Sequence, residues 1–360
     1  MNDITKKLLS MISDISGEIK GAFNIREDGG CAGRQSTENV DIIPKVGQPG
    51  IDIIIKPGTH ETVYIPACVT KSNVDDLVYN DFYVGENSDV VIVAGCGVHV
   101  DGEEDSQHNG IHRFFISKNA RVRYEEKHVG IGEGTGQRII NPQTYIEMAE
   151  DSYMEMDTVQ IKGVDSTKRD TKAVLQSNAK LVIKEKIMTH GVQHAETYFT
   201  VDLDGEDSSA DLVSRSVARG ESHQYFRSII NGNNRCAGHS ECDAIIMEHG
   251  TVSAVPELTA NDIDASLIHE AAIGKIASKA DALDGSFFCL LGSIGKNFPL
   301  KFNCQNRNKY AGIIAFDAEC CWADCGAAGY PAAVPAAAGG VPAPFCVPGA
   351  FCICACCGNG

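Results

Sequence analysis

The chain has 360 residues, 43% of them hydrophobic, and carries a formal net charge of −17. This hydrophobic content can bury a real core, which excludes a chain that is disordered throughout, and the length fits one long domain or two ordinary ones. The acidic charge and the lack of any basic run argue against nucleic-acid binding and against attachment to an anionic membrane surface.

The first twenty residues predict a short amphipathic helix rather than a signal peptide. Leu8, Leu9, Ile12 and Ile15 recur at helical spacing, and polar residues interrupt the segment every few positions. No stretch of the chain approaches the roughly 18 apolar residues of a membrane span. The sequence therefore predicts a cytoplasmic protein with no membrane partner. In that compartment cysteines are more often metal ligands or buried residues than disulfides.

From about residue 50 to residue 275 the sequence predicts short β-strands separated by Gly, Asn and Asp. Apolar and polar residues alternate with period two, as in LVIK at 181–184. The clearest predicted strands cover 51–55, 89–93, 121–124, 153–159, 180–187 and 243–247.

A turn signal repeats beneath this alternation. An Asn or Asp followed by a small residue precedes a strand at five points that lie 27 to 32 residues apart. The five turn residues are Asn87, Asn119, Asp151, Asn178 and Asp207. A stacked β-solenoid requires a turn at a fixed point in each cycle, because each coil lies on the one before it. The pattern favours a solenoid over an antiparallel sandwich with chance spacing.

Cysteine and histidine are unevenly distributed, since ten of the fifteen cysteines follow residue 288 and every histidine precedes residue 270. One cluster of both types, Cys96, His99, His108 and His112, could form the tetrahedral zinc site of a solenoid enzyme. Its spacing matches no compact zinc module, and the intervening DGEEDSQHNG (101–110) favours a polar loop with solvated histidines.

Several ordered motifs resemble the core of the SufB and SufD family of iron–sulfur cluster assembly proteins. They are AGCGVHVDGEEDSQHNGIHRF (94–114), EMDTVQIKGVDSTKRDTKA (155–173), EKIMTHGVQH (185–194), CAGHSECDAIIMEHG (236–250) and AVPELTANDIDASLIHEAAIGKIA (254–277). The resemblance covers roughly residues 15–277. It is closest to the short, stand-alone SufBD (SmsB-like) form found beside one ABC-type ATPase.

The resemblance implies a mainly β protein. Its core would be a right-handed parallel β-helix over 46–277, after a helical or irregular segment over 1–45. It also implies a homodimer formed through the β-helix, a SufC-like ABC ATPase as partner and a transient iron–sulfur cluster as cargo. The chain would then be a scaffold and not an enzyme, with ATP hydrolysis in the partner.

Cys236 and Cys242 are the candidate thiolate ligands of the cluster. Six residues separate them, which is too wide for a Cys-x-x-Cys site, but a turn between two strands would bring both thiols to one face. Without the resemblance, two buried core residues of a purely structural solenoid would be the more ordinary interpretation.

His269, Glu270 and Glu257 are the candidate labile ligands. In SufB-type scaffolds the matching His-Glu pair is implicated in cluster formation, and imidazole and carboxylate release iron more readily than thiolate does. Adjacent residues of a regular strand face opposite sides, so only one of His269 and Glu270 is expected to reach Cys242. An exposed pair without a ligand role is the alternative. Larger SufB proteins carry an assembly cysteine at the position of Gly250, so their mechanism does not transfer whole.

The segment 278–360 departs from the family pattern, which would continue with amphipathic helices that dock the ATPase. It is rich in Pro, Gly and Ala, and Cys352, Cys354, Cys356 and Cys357 lie near its end. The abrupt change favours a frameshift. A metal-binding appendage and a disulfide-stapled tail are the alternatives.

Overall fold

The computed structural model describes residues 2–15 and 17–276, in which the chain winds into a parallel β-solenoid of about eight turns. Most successive strands alternate between two walls, and a typical strand stacks on the strand two places earlier in the chain. The prediction of a mainly β solenoid is confirmed. The segment 278–360, with its terminal cysteines, lies outside the described residues.

The strands of each wall are numbered along the chain. Wall A contains β1 (Ala22–Glu27), β2 (Gly30–Gln35), β5 (Thr62–Val69), β7 (Asp89–His99), β9 (Arg121–Ile131), β12 (Tyr153–Lys162), β14 (Lys180–Thr189), β16 (Ser208–Ala218), β18 (Cys236–Met247) and β20 (Ala265–Ile276). Wall B contains β3 (Val40–Pro44), β4 (Gly50–Ile55), β6 (Asp75–Val84), β8 (Ser106–Ile116), β10 (Arg138–Ile140), β11 (Gln143–Met148), β13 (Ser166–Leu175), β15 (His194–Leu203), β17 (His223–Gly232) and β19 (Thr251–Ala260). Wall A stacks in parallel from β5 to β18 and wall B from β4 to β19, whereas β1–β2 and β3–β4 are antiparallel hairpins.

Strand alternation decides which side chains face the lumen between the walls. In β12 and β14 every second residue is buried, including Met154 and Leu181. These residues join a core that runs through the solenoid and contains the stacked rings of Phe82 and Phe114, whose centroids are 4.3 Å apart. The period-two pattern of the sequence is therefore the pattern of lumen-facing residues.

The five predicted turn residues all adopt the left-handed backbone conformation, with φ between 57° and 59°. Asn and Asp tolerate this conformation better than other residues with a side chain. Asn87 N donates to the carbonyl oxygen of Lys118 in the next coil, and Asn119 Nδ2 donates to Asn87 Oδ1 at 3.2 Å. The repeated turn thus joins each coil to its neighbour.

The predicted N-terminal helix is confirmed as α1 (Asp3–Ile12), which Asn2 caps by accepting a hydrogen bond from the backbone N–H of Thr5. Leu8 and Ile12 are buried against the outer face of wall A. The rest of the segment before residue 46 is not helical or irregular as predicted, because β1, β2 and β3 form hairpins that begin both walls. Within residues 2–15 and 17–276, no helix has the length and apolar character that a bilayer crossing requires.

Polar and charged side chains also enter the apolar lumen. Asp76, His108, Glu126, Arg169 and Glu185 are all nearly inaccessible to solvent. Burying such groups is costly unless they find partners, so their arrangement is a guide to function.

Candidate functional site

Cys236 and Cys242 lie on one strand, β18, and both line the core. At a rise of about 3.3 Å per residue, six residues place them roughly 20 Å apart along the strand. Two thiolates on one metal ion lie within about 4.6 Å, twice a bond of about 2.3 Å. The prediction that a turn brings these two thiols together is therefore wrong, because β18 continues unbroken between them and an even spacing preserves only the face.

Both thiols are buried. Burial raises the pKa of Cys242 to about 12, and the nearby carboxylates of Glu185 and Asp243 act in the same direction. Burial also raises the pKa of Cys236, against the opposing effect of the backbone of Asn234. Both side chains are thus protonated at neutral pH, and a metal must displace the proton before either can act as a ligand.

β20 places His269 and Glu270 on opposite faces, as predicted for adjacent strand residues. His269 has the inward orientation of Leu267, which packs against the core, whereas Glu270 is exposed. Nδ1 of His269 is buried and has no hydrogen-bond partner in the part of the chain that the structure describes. Burial lowers the pKa of His269, with the backbone of Ser240 acting in the opposite direction. A neutral imidazole therefore faces β18 next to Ser240, two residues before Cys242.

Glu257 is not brought to this site. It lies exposed on β19 of wall B, where it forms an ion pair with Arg227. Glu257 and Glu270 thus occupy the outer faces of the last strands of the two walls. Among the described strands, β19 and β20 each pair on one side only.

A second constellation lies in the lumen where β7 and β9 stack. Cys96 is directly opposite His128, and Glu126 precedes His128 by two residues on the same face. The thiol sulfur, an imidazole nitrogen and a carboxylate oxygen of these residues lie within 4.8 Å of one another, and all three residues are buried. No sequence motif identified this cluster. The signal for it was the repeat, because Cys96 and His128 are separated by the same 32 residues as Asn87 and Asn119.

Glu126 is held in its ionised form. Tyr124 Oη donates to Oε1 at 2.9 Å and Arg169 Nη1 donates to Oε2 at 2.7 Å. Burial opposes ionisation, but His128 and Arg169 hold the pKa of Glu126 well below its usual value. Arg169 Nε also lies 3.4 Å from Glu185, whose pKa burial raises. The buried guanidinium of Arg169 therefore forms ion pairs with two carboxylates.

Three of the four residues considered for a zinc site share a cavity of about 30 Å³, lined by Cys96, His108 and His112. The fourth residue, His99, does not reach this cavity. It is only partly buried, near the end of β7, and its Nε2 lies 3.0 Å from Asp101. The four residues therefore do not form one tetrahedral site.

The predicted polar loop is also corrected, because β8 begins at Ser106 and buries His108 and His112. The reason is stacking on β6, where Nδ1 of His108 lies 2.9 Å from the Asp76 carboxylate. Burial lowers the pKa of His112 to about 4, so its imidazole is neutral.

The model of the family described as SUF system FeS cluster assembly, SufBD core domain, matches residues 77–280, which is more than half of the chain. The chain belongs to the SufBD family. The matched part of this SufBD protein begins within β6 and contains every candidate ligand that the structure describes.

The SufBD core has relatives in several archaea. It is 29% identical over 239 residues to an iron–sulfur cluster assembly SufBD family protein of Methanothermobacter thermautotrophicus, covering 64% of this chain and 56% of the relative. Identity to the Archaeoglobus fulgidus protein of the same description is 28% over 227 residues, covering 62% and 59%. Identity to the Methanocaldococcus jannaschii protein is 25% over 232 residues, covering 63% and 72%. The chain spans a little over half the length of the first two relatives.

The SufBD core departs from the larger SufB pattern at Gly250, and the structure gives a steric reason. A Cβ atom on Gly250 would lie 2.5 Å from the backbone oxygen of Ala218, so a cysteine fits there only if the backbone moves. In the described part of the last two coils, the thiols are Cys236 and Cys242.

Proposed function

We propose that this SufBD chain is a scaffold for iron–sulfur cluster assembly, acting as a homodimer with a SufC-like ABC ATPase that hydrolyses ATP. Membership of the family supports the role in assembly. The structural observation that carries the proposal is in the last coil, where the buried thiol of Cys242 and the neutral imidazole of His269 share the lumen face of neighbouring strands. Nδ1 of that imidazole has no hydrogen-bond partner among the described residues.

Cys242 and His269 are the proposed ligand pair within one chain. Thiolate binds iron–sulfide units strongly and imidazole binds them more weakly, which suits a cluster that must be transferred to another protein. Cys236 is too far along β18 to bind the same iron, so it acts at a separate position. Glu270 and Glu257 point outward, so they are proposed as ligands only for iron shared with a second copy of the chain.

The proposed dimer is supported by the ends of the walls, where β19 and β20 each have one edge unpaired among the described strands. A strand with an unpaired edge is a ready template for pairing with another chain. The outer faces of β19 and β20 also expose apolar side chains, with Ile268 53% and Val255 39% accessible. Light scattering on the purified full-length chain should give twice the monomer mass, and a monomer at micromolar concentration would refute the dimer.

The scaffold is tested by anaerobic reconstitution of the full chain with ferrous iron and sulfide. The wild type should develop sulfide-to-iron charge-transfer absorption, and the Cys242→Ala variant should lose a large part of it. His269→Ala should form the cluster but release it faster to a chelator. Cys68→Ala is the matched control, since Cys68 is equally buried but packs under α1. Equal absorbance in Cys242→Ala and Cys68→Ala would refute the site.

The ATPase partner is tested separately. Mixing the chain with a SufC-like ATPase should give a complex on gel filtration and a change in the rate of ATP hydrolysis. If neither occurs while reconstitution succeeds, the partner is refuted and the scaffold is retained.

A further inference from the structure

The cluster of Cys96, Glu126 and His128 is separate from the proposed assembly site. In wall A, Cys96 and His128 occupy equivalent positions of β7 and β9, whereas Cys242 lies four strands further along the wall on β18. Register stacking places Cys96 and His128 side by side in the lumen, and Glu126 is the next lumen-facing residue on β9. Three possible metal ligands, a soft thiol, an imidazole of intermediate softness and a hard carboxylate, are thus brought together by two stacked strands.

His128 provides an independent indication that a ligand belongs in this cluster. Its side chain is completely buried, yet its Nε2 has no hydrogen-bond partner among the described residues. The nearest carboxylate oxygen, Oε1 of Glu126, is 3.4 Å away without the alignment of a hydrogen bond. A buried polar atom left unpaired typically costs about 1–3 kcal/mol, so a native structure needs a reason to keep one. Nδ1 lies 3.3 Å from Gln160 Oε1 and 3.4 Å from Arg169 Nη2, and such outer contacts hold the ring with Nε2 directed toward the cluster.

The formal charges of the surrounding lumen also favour a cation. Arg169 contacts both Glu126, at 2.7 Å, and Glu185, at 3.4 Å. Two carboxylates and one guanidinium leave a formal charge of −1. A divalent ion bound through a Cys96 thiolate adds a net charge of +1, which brings the buried group to neutrality. The positive charge of Arg169 therefore does not exclude the metal ion, because the carboxylate of Glu185 balances that charge.

The cavity beside Cys96 provides space next to the cluster. Its volume of about 30 Å³ exceeds the 10–15 Å³ or so that one water molecule needs. The same cavity is lined by the exposed Cys31 at the β1–β2 hairpin, so it links Cys96 with the surface of the solenoid.

We propose that the lumen of this solenoid binds one divalent transition-metal ion, Zn²⁺ or Fe²⁺, through Cys96 Sγ, His128 Nε2 and the Glu126 carboxylate. One thiolate, one imidazole and one carboxylate form a donor set suited to these ions, and the cavity lies on the Cys96 side of the cluster. Ligand atoms around a tetrahedral ion are about 3.3–3.8 Å apart, given bonds of about 2.0–2.3 Å. Because the three donor atoms lie within 4.8 Å of one another, binding needs a side-chain closure of at most about 1–1.5 Å.

The test uses the full-length chain after removal of metals with a chelator, and Co²⁺ and Zn²⁺ as probes. Cys96→Ala is compared with Cys68→Ala, which removes an equally buried thiol from the neighbouring strand β5 on the opposite face of wall A. Any metal bound by other cysteines affects both variants equally. Cys96→Ala should bind one equivalent of Co²⁺ fewer and lose the corresponding thiolate-to-cobalt absorption. The rise in unfolding temperature on adding Zn²⁺ should persist in Cys68→Ala and disappear in Cys96→Ala.

A second variant covers the case in which Cys96→Ala does not fold. His128→Gln keeps a polar side chain of similar length and should lower Zn²⁺ affinity at least tenfold, with an unchanged circular dichroism spectrum. Equal metal stoichiometry and an equal thermal shift in Cys96→Ala, Cys68→Ala and the wild type would overturn the proposal. So would undiminished affinity in His128→Gln. The outcome is independent of cluster reconstitution at Cys242.

Discussion

The stacked strands determine which individual charges can be buried. Asp76 lies in the lumen with Arg26 at 2.6 Å and His108 at 2.9 Å. Burial opposes ionisation of Asp76, but hydrogen bonds from His108 and Arg26 lower the pKa of its carboxyl below the usual value. The stability from this group is therefore present above the unfolded pKa of about 3.9 and is lost as pH falls below it.

Asp243 shows the opposite behaviour and gives the first prediction. Burial and a hydrogen bond with Glu241 raise the pKa of Asp243 to about 7. The folded state therefore prefers the protonated acid. The stability that the protonated Asp243 contributes to the folded state is complete below the unfolded pKa of about 3.9. It is lost as pH rises toward 7. Asp243→Asn should be more stable than the wild type at pH 8, by an amount on the order of 2 kcal/mol, and equally stable near pH 4.

Urea unfolding at pH 4, 6 and 8 measures this difference. Asp75→Asn is the control, because Asp75 is an exposed carboxylate on β6 and its loss should not alter the pH profile. A wild-type profile that stays parallel to that of Asp243→Asn between pH 4 and 8 would contradict the assignment.

Among the elements, α1 depends on glycine in the strands beneath it. A Cβ atom on Gly95 would lie 2.7 Å from the backbone oxygen of Ile12, and one on Gly97 would lie 2.7 Å from Leu8 Cδ2. These two glycines of β7 thus let the helix approach wall A closely. The helix in turn covers apolar residues such as Ile25 and Cys68.

Gly95→Ala should therefore loosen α1 without unfolding the solenoid. Overpacking of this kind costs about 1–3 kcal/mol, which would raise the open population of the helix by about 5-fold to 150-fold. Trypsin cleavage at Lys6 and Lys7 under native conditions measures that population. Gly274→Ala is the control, since no atom of the described residues lies within 4 Å of an added Cβ there. Equal cleavage rates in the two variants would show that α1 does not depend on this contact.

The whole molecule depends on repetition of one turn. Each coil contacts mainly its two neighbours, so stability is approximately a sum of coil and interface contributions. The left-handed residue of each turn recurs at the same place, as at Asn87 and Asn119. A change in one turn should therefore lower the stability of the coils on both sides.

Asn119 tests this dependence. Asn119→Ala should cost about 1–2 kcal/mol, because alanine is strained in the left-handed conformation and the hydrogen bond to Asn87 is lost. Asn119→Gly loses the same hydrogen bond but keeps the backbone conformation, so it should cost clearly less. Thermal unfolding of the three proteins gives the order. If Asn119→Ala and Asn119→Gly lowered the unfolding temperature equally, the side-chain hydrogen bond to Asn87 would matter more than the left-handed backbone conformation.

The sequence by itself determined the strands and the turns that make up each coil of the solenoid. Alternating residues predicted the strands, and the Asn or Asp followed by a small residue marked five turns that the structure confirms. The amphipathic helix and the opposite orientations of His269 and Glu270 were also predicted. These features depend on the period of a helix or a strand and on single-residue φ preferences, which are local properties.

Only the tertiary structure decided which side chains meet. Cys236 and Cys242 are close in the sequence but lie far apart on one strand, whereas Cys96 and His128 are 32 residues apart and in contact register. His108 was predicted to lie in a polar loop, but it is buried in β8 and pairs with Asp76 across the stacked strands. The physical reason is that contacts in a solenoid follow the register between coils. That register is set by hydrogen bonds between residues roughly 27–32 positions apart, and no local pattern encodes it.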